Sequence, residues 1–263
     1  MIQFNLNRFA KLARWSLTND KKYHVKSFLQ NLVVFTLLFL FFTSIDVKWN
    51  QQNANYQPCC IAVLVVFAVT LILGSSFMFY SMEGKHDMQT LLMLPASNLE
   101  KYLVRYASWM ILLPIQLVAF FASDLVQYVF GLLVGHEELK FVTVALVDFV
   151  NNMWHQVPAR AHTGLLYANT LFLVWFHSLY AFGATLFRWR KNNWVLTTLV
   201  IIVMGILVMW LLPSNMAFKW DENSSSTIVV AGTAIYIGWT MLNFWLSYRF
   251  FCRQQVIGKL INI

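Results

Sequence analysis

The sequence predicts an all-α membrane protein. It has six transmembrane helices, an N-terminal interfacial amphipathic helix and a short cytoplasmic helix between the second and third spans. Three observations carry this prediction. Only 11% of the 263 residues are charged, where a soluble domain carries about a quarter. The chain is 59% hydrophobic with a mean hydropathy of +0.59, and its apolar residues gather in runs of membrane-crossing length. Its basic residues cluster on alternate connections between those runs.

The runs fall at 28–45, 59–80, 107–134, 164–187, 194–212 and 227–250. They are continuous rather than alternating, which predicts helices and not barrel strands. Six spans put both termini on one side. With the N-terminus inside, fifteen of the nineteen Lys and Arg residues face the cytoplasm, and only Lys48, Lys140, Arg160 and Lys219 face outward. The net charge of +8 then reflects loops facing anionic lipid, and no nucleic-acid partner is expected.

Residues 1–27 are basic but lack the continuous apolar core and cleavage site of a signal peptide. On a helical wheel Ile2, Leu6, Phe9, Ala13 and Leu17 share one face, while Arg8, Lys11 and Arg14 fall away from it. That pattern predicts a helix lying in the membrane interface. The first outer loop, 46–58, is short and rich in Asn and Gln. In the third span Pro114 predicts a kink, and Gln116, Asp124 and Gln127 lie beyond it. The outer segment 135–163 is the longest connection, and its apolar centre, 141–154, predicts a surface amphipathic helix. No repeat or linker divides the chain, so 1–263 reads as a single transmembrane domain. Cys59, Cys60 and Cys252 read as small apolar residues rather than a disulfide framework.

The polar stretch 82–102, "MEGKHDMQTLLMLPASNLEKY", interrupts the hydrocarbon. Met88, Leu91 and Leu92 are spaced i, i+3, i+4, which predicts a short helix with one apolar stripe. Pro95 ends it. Ser97 and Glu100 then form a capping box at the start of the next helix. The stripe could face lipid, the chain's own bundle or a cytoplasmic partner.

Chemistry is sparse. Gly84-Lys85 and Gly258-Lys259 lack the rest of a G-x-x-x-x-G-K-S/T phosphate loop, so the chain is not expected to cradle a nucleotide as a P-loop does. His136-Glu137-Glu138 lacks the second histidine of a zinc helix, and the six histidines show no metal-ligand spacing. No catalytic constellation is evident, and an enzyme is not expected. Asp124 has two readings: a structural partner of His177, Asn169 or a backbone carbonyl, or one member of a water-accessible substrate pathway with Phe120 and Gln127. Gly131 and Gly135 form a small-residue pair near the same end.

The run Glu83-Gly84, then Gln89-Thr90-Leu91-Leu92-Met93-Leu94-Pro95-Ala96-Ser97, then Glu100-Lys101, resembles the cytoplasmic loop of ABC transporter permeases of the type-2 exporter class. The interfacial helix and six spans with both termini inside are similar too. The motif covers about twenty residues, and the remaining likeness is one of layout. Two features differ from that family: the bulk of the outer structure lies between spans three and four, and residues 85–89 separate Gly84 from Thr90. The resemblance implies a bacterial cytoplasmic (inner) membrane exporter subunit paired with a second permease, as a homodimer. It also implies that 82–102 is a coupling helix docking a separate ABC ATPase through Glu83, His86, Asp87, Met88, Leu91 and Leu92. ATP and Mg would sit on that ATPase, and no cofactor on this chain. The competing reading is a membrane sensor or assembly scaffold whose cytoplasmic helix binds a different partner.

Overall fold

The computed structural model describes residues 3–45, 56–82, 85–134, 139–188, 192–211 and 226–253. Among them every regular element is a helix. In order these are α1 (Leu6–Asn19), α2 (Lys21–Leu40), α3 (Tyr56–Leu73), α4 (Lys85–Met93), α5 (Asn98–Met110), α6 (Leu112–Val134), α7 (Val142–Gln156), α8 (Ala159–Leu186), α9 (Asn193–Leu211) and α10 (Ser226–Cys252). A π turn, Phe41–Ile45, extends α2, and a 3₁₀ turn, Gly74–Phe79, extends α3.

Among the described residues four segments are long and apolar enough to cross a membrane: Lys21–Thr43, Tyr56–Phe79, Asn98–Val134 and Asn193–Leu211. They correspond to the first, second, third and fifth runs expected from the sequence. The fourth and sixth runs are helical, as α8 and α10, with 28 and 27 residues. Both carry polar side chains that lower their apolar character, among them Asn169, His177 and Ser178 in α8 and Thr240, Asn243 and Ser247 in α10. The loop residues 46–55 and 212–225, and Gly135, lie outside the described residues.

The chain forms two compact units. One comprises Arg14–Leu71 and Ser108–Ala168. Its core joins Phe35 and Phe39 of α2 to Cys59 and Val63 of α3, Ala119 and Phe120 of α6, and Val142 of α7. Phe120 meets Phe35 and Phe39 edge-on at ring distances of 5.7 and 5.6 Å. Between the same helices Thr36 donates to Ser123 Oγ (3.1 Å), which donates to the Leu32 carbonyl (3.0 Å). Lipid tails are as apolar as these side chains, so close packing and such bonds, not water exclusion, hold membrane helices together. The break between α5 and α6 falls at Ile111. It lies one turn before Pro114, whose ring crowds the carbonyl four residues back, that of Met110.

The other unit comprises Met1–Ala13, Ile72–Ala107 and Asn169–Ile263. Here Gly74-Ser75-Ser76 opens the 3₁₀ turn that continues α3, and its residues bond to neighbouring helices. Asn193 Nδ2 donates to the Ser76 carbonyl (3.0 Å), and Ser75 Oγ donates to the His177 carbonyl (2.8 Å). Gly183 has a steric reason: a Cβ there would lie 2.1 Å from Thr197 Oγ1. Ser247 of α10 donates to the Ala181 carbonyl (3.0 Å) and receives the Tyr102 hydroxyl (3.0 Å). His177 faces the Tyr106 hydroxyl at 2.9 Å and lies beside the Phe244 ring.

Candidate functional site

Within 82–102 the described residues include a short helix, α4 (Lys85–Met93), followed by the start of α5. The helix α4 ends at Met93, and residues 94–96 bend, because Pro95 has no N–H with which to continue a helix. The capping box forms as expected: the Ser97 N–H donates to Glu100 Oε2 (2.8 Å) and the Glu100 N–H donates to Ser97 Oγ (3.2 Å).

Glu100 then does more than cap. Its fully buried carboxylate also accepts from the Asn5 N–H (2.6 Å), from Arg8 Nε (2.8 Å) and from Arg8 Nη2 (2.6 Å). The two arginine bonds form a bidentate fork, the strongest geometry available to this pair of groups. Asn5 in turn caps α1, its Oδ1 accepting from the Asn7 N–H (3.0 Å) and the Arg8 N–H (3.3 Å). Arg8 also donates to the Gln3 carbonyl. The start of the N-terminal helix is thereby fastened to the start of α5.

The next residues fasten two further segments. Lys101 Nζ donates to the Leu92 carbonyl (2.6 Å), satisfying one of the carbonyls left open at the end of α4. Arg105, almost wholly buried, places Nε and Nη2 on the Met78 carbonyl (3.0 and 2.8 Å) and Nη2 on Ser81 Oγ (2.6 Å). One and a half turns of α5 thus tie together α1, α4 and the residues leading out of α3. Read along the sequence, Lys101 and Arg105 count as cytoplasmic loop charges, whereas here both are buried ties.

The residues expected to dock a partner divide. Glu83 lies outside the described residues. His86, Asp87 and Met88 lie on α4, with side chains outside the described set. Leu91 is fully buried within the chain and Leu92 is half-buried. Among the described side chains of α4, the exposed apolar one is Met93, at 84%. A short helix bearing few apolar residues must spend some of them on its own bundle, and Leu91 is spent there.

The expected pathway residues Phe120, Asp124 and Gln127 do share one face of α6, but that face is packed inside the protein. Phe120 is the centre of the aromatic core, and Gln127 is buried next to the Tyr56 hydroxyl. Asp124 accepts from the Val142 N–H (2.7 Å), the Thr143 N–H (3.0 Å) and the Thr143 hydroxyl (2.6 Å). The carboxylate therefore caps the first turn of α7, where open N–H groups and the helix dipole favour negative charge. These contacts are of the kind the structural reading expects, made to α7 rather than to His177 or Asn169. Gly131 admits Leu139, whose Cδ1 would lie 2.2 Å from an added Cβ.

Asn5, Arg8 and Arg105 are the site residues that sequence reasoning missed. Ninety-two residues separate Arg8 from Glu100, and no spacing rule reaches that far. Among the described residues no three His, Cys, Asp or Glu side chains converge as metal ligands. Compared with protein-family models, with curated proteins and with solved structures, the chain matches none.

Proposed function

We propose that the chain is the membrane-spanning subunit of an ATP-driven exporter of the type-2 ABC class, with α4 as its coupling helix. In this reading α8 and α10 join the four strongly apolar segments to make six spans, and both termini are cytoplasmic. The exposed stripe of α1, with Leu6 71% exposed, lies against the membrane interface. A second copy completes the pathway, and a separate ATPase supplies ATP and Mg chemistry. One observation carries the reading: a nine-residue helix is braced from behind by Leu91 and Lys101 while Met93 projects from its end.

That arrangement suits a transmitted push. Force on α4 passes through Lys101 to α5, through Glu100 to α1, and through Arg105 to the inner end of α3. A loosely tethered loop would absorb the push instead. The test is affinity purification of the tagged chain from membranes of its native host. Wild type should retain a P-loop ATPase through purification in mild detergent, and Met93→Asp should lose it while still inserting. Retention of a different cytoplasmic protein, with no ATPase, would favour the scaffold reading.

A further inference from the structure

The ties of α5 do not end with Arg105. Tyr102 and Tyr106, four residues apart, share one face of the helix, and their rings stack at 6.4 Å and 14°. Both hydroxyls reach other helices. Tyr102 Oη donates to Ser247 Oγ of α10 (3.0 Å), and Tyr106 Oη lies 2.9 Å from His177 Nε2 of α8. Tyr102 and His177 are more than nine-tenths buried, and Ser247 is fully buried.

The two receiving helices are in turn fastened to each other. Ser247 Oγ gives its own hydrogen to the Ala181 carbonyl (3.0 Å), and Asn243 Nδ2 donates to Ser178 Oγ (2.9 Å). Residues 243 and 247 lie one turn apart on α10, as 178 and 181 do on α8, so these bonds are successive rungs of one contact. Ser247 is the junction. One hydroxyl receives α5 and holds α8. The polar residues His177, Ser178, Asn243 and Ser247, which make α8 and α10 less apolar, are all buried and bonded. Away from water a broken bond of this kind has no replacement, so helices joined by several of them shift together.

We propose that Tyr102 and Tyr106 are positioning residues that carry movement of α5 to α8 and α10. This role rests on the exporter reading and adds to it the route from the dock to two further spans. A push on α4 reaches α5 through Lys101. Tyr102 passes it to the junction at Ser247, and Tyr106 passes it directly to α8. Ring packing alone would let the helices slide, whereas a directional O–H bond fixes their register.

Phenylalanine at both positions keeps the rings, with their edge-on contacts to Phe251 and Phe244, and removes only the hydroxyls. The experiment follows an environment-sensitive fluorescent amino acid placed at exposed position 252, the last residue of α10. The full chain is purified with its ATPase from native-host membranes and mixed with ATP and Mg. Wild type should show an ATP-dependent change in emission. Tyr102→Phe/Tyr106→Phe should shrink that change about fivefold or more, the lower end of an ordinary coupling between sites. Tyr180→Phe removes a hydroxyl bond to Thr198 that does not involve α5, and it should keep the change. Ser247→Ala cuts the Tyr102 rung from the α10 side and should also shrink it, which decides the matter if the double variant does not fold. Several results overturn the proposal: a wild-type complex whose emission ignores ATP, a double variant that responds like wild type, equal loss in Tyr180→Phe, or loss of the ATPase from the double variant. A wild-type chain that brings down no ATPase overturns the exporter reading itself, and this role with it.

Discussion

Arg8 and Glu100 form a two-pronged ion pair across ninety-two residues of chain, with the carboxylate fully buried and the guanidinium about one-third exposed. The carboxylate is shared between this fork and the capping box. Glu100→Gln keeps a side chain that can serve in the box but removes the charge, whereas Glu100→Ala removes both. Thermal unfolding in detergent should therefore rank wild type above Glu100→Gln above Glu100→Ala, with the last lowered by about 5 °C or more. Arg8→Met combined with Glu100→Gln should cost less than the two single changes added together. Strict additivity would mean that the fork contributes nothing.

Asp124 supports the first turn of α7 with three hydrogen bonds. An asparagine would turn an amide N–H₂ toward backbone donors, leaving at least one of them unmet. Asp124→Asn should lose about 1–3 kcal/mol, and Thr143→Val, which deletes one bond of the three, about 1 kcal/mol. Cysteines at 120, 124 and 127 should resist a small polar thiol reagent in the folded protein. Rapid modification of all three, together with unchanged stability of Asp124→Asn, would favour the pathway reading.

Lys101 braces the end of α4 through the Leu92 carbonyl. Lys101→Met keeps the length of the side chain but not its donor. Amide exchange in 89–96 should speed up selectively, while the amides of α6 keep their wild-type protection. Leu91→Asp should instead destabilise the whole protein, because it places a charge in a fully buried position. Exchange rates in 89–96 unchanged by Lys101→Met would mean that the tie does not hold the helix.

The local features of this chain were legible because each rests on a few consecutive residues. Pro95, Ser97 and Glu100 announce the end of one helix and the start of the next, and both are found. The buried face of α6 could likewise be read from Phe120, Asp124 and Gln127 at helical spacing. What that face does could not. In a membrane span a polar residue facing protein and one facing a water path obey the same periodicity, and only the position of α7 separates them. Leu91 illustrates the same limit. A three-residue apolar stripe is equally suited to the chain's own bundle and to a partner, and the choice depends on residues far away in sequence. The buried roles of Lys101 and Arg105 were hidden because a basic residue beside a span ordinarily signals orientation alone.

The central claim is that α4 presents a docking point to an ATPase, and Met93 is the side chain that offers it. A photo-crosslinking amino acid placed at 93, with a second placed at the exposed α6 position 121 as a control, tests it in intact membranes. Light should join position 93, but not 121, to a P-loop ATPase subunit, with a yield that changes when ATP is supplied. Crosslinks from 93 that run only to lipid, to this chain itself or to a protein without a nucleotide-binding loop would contradict the account.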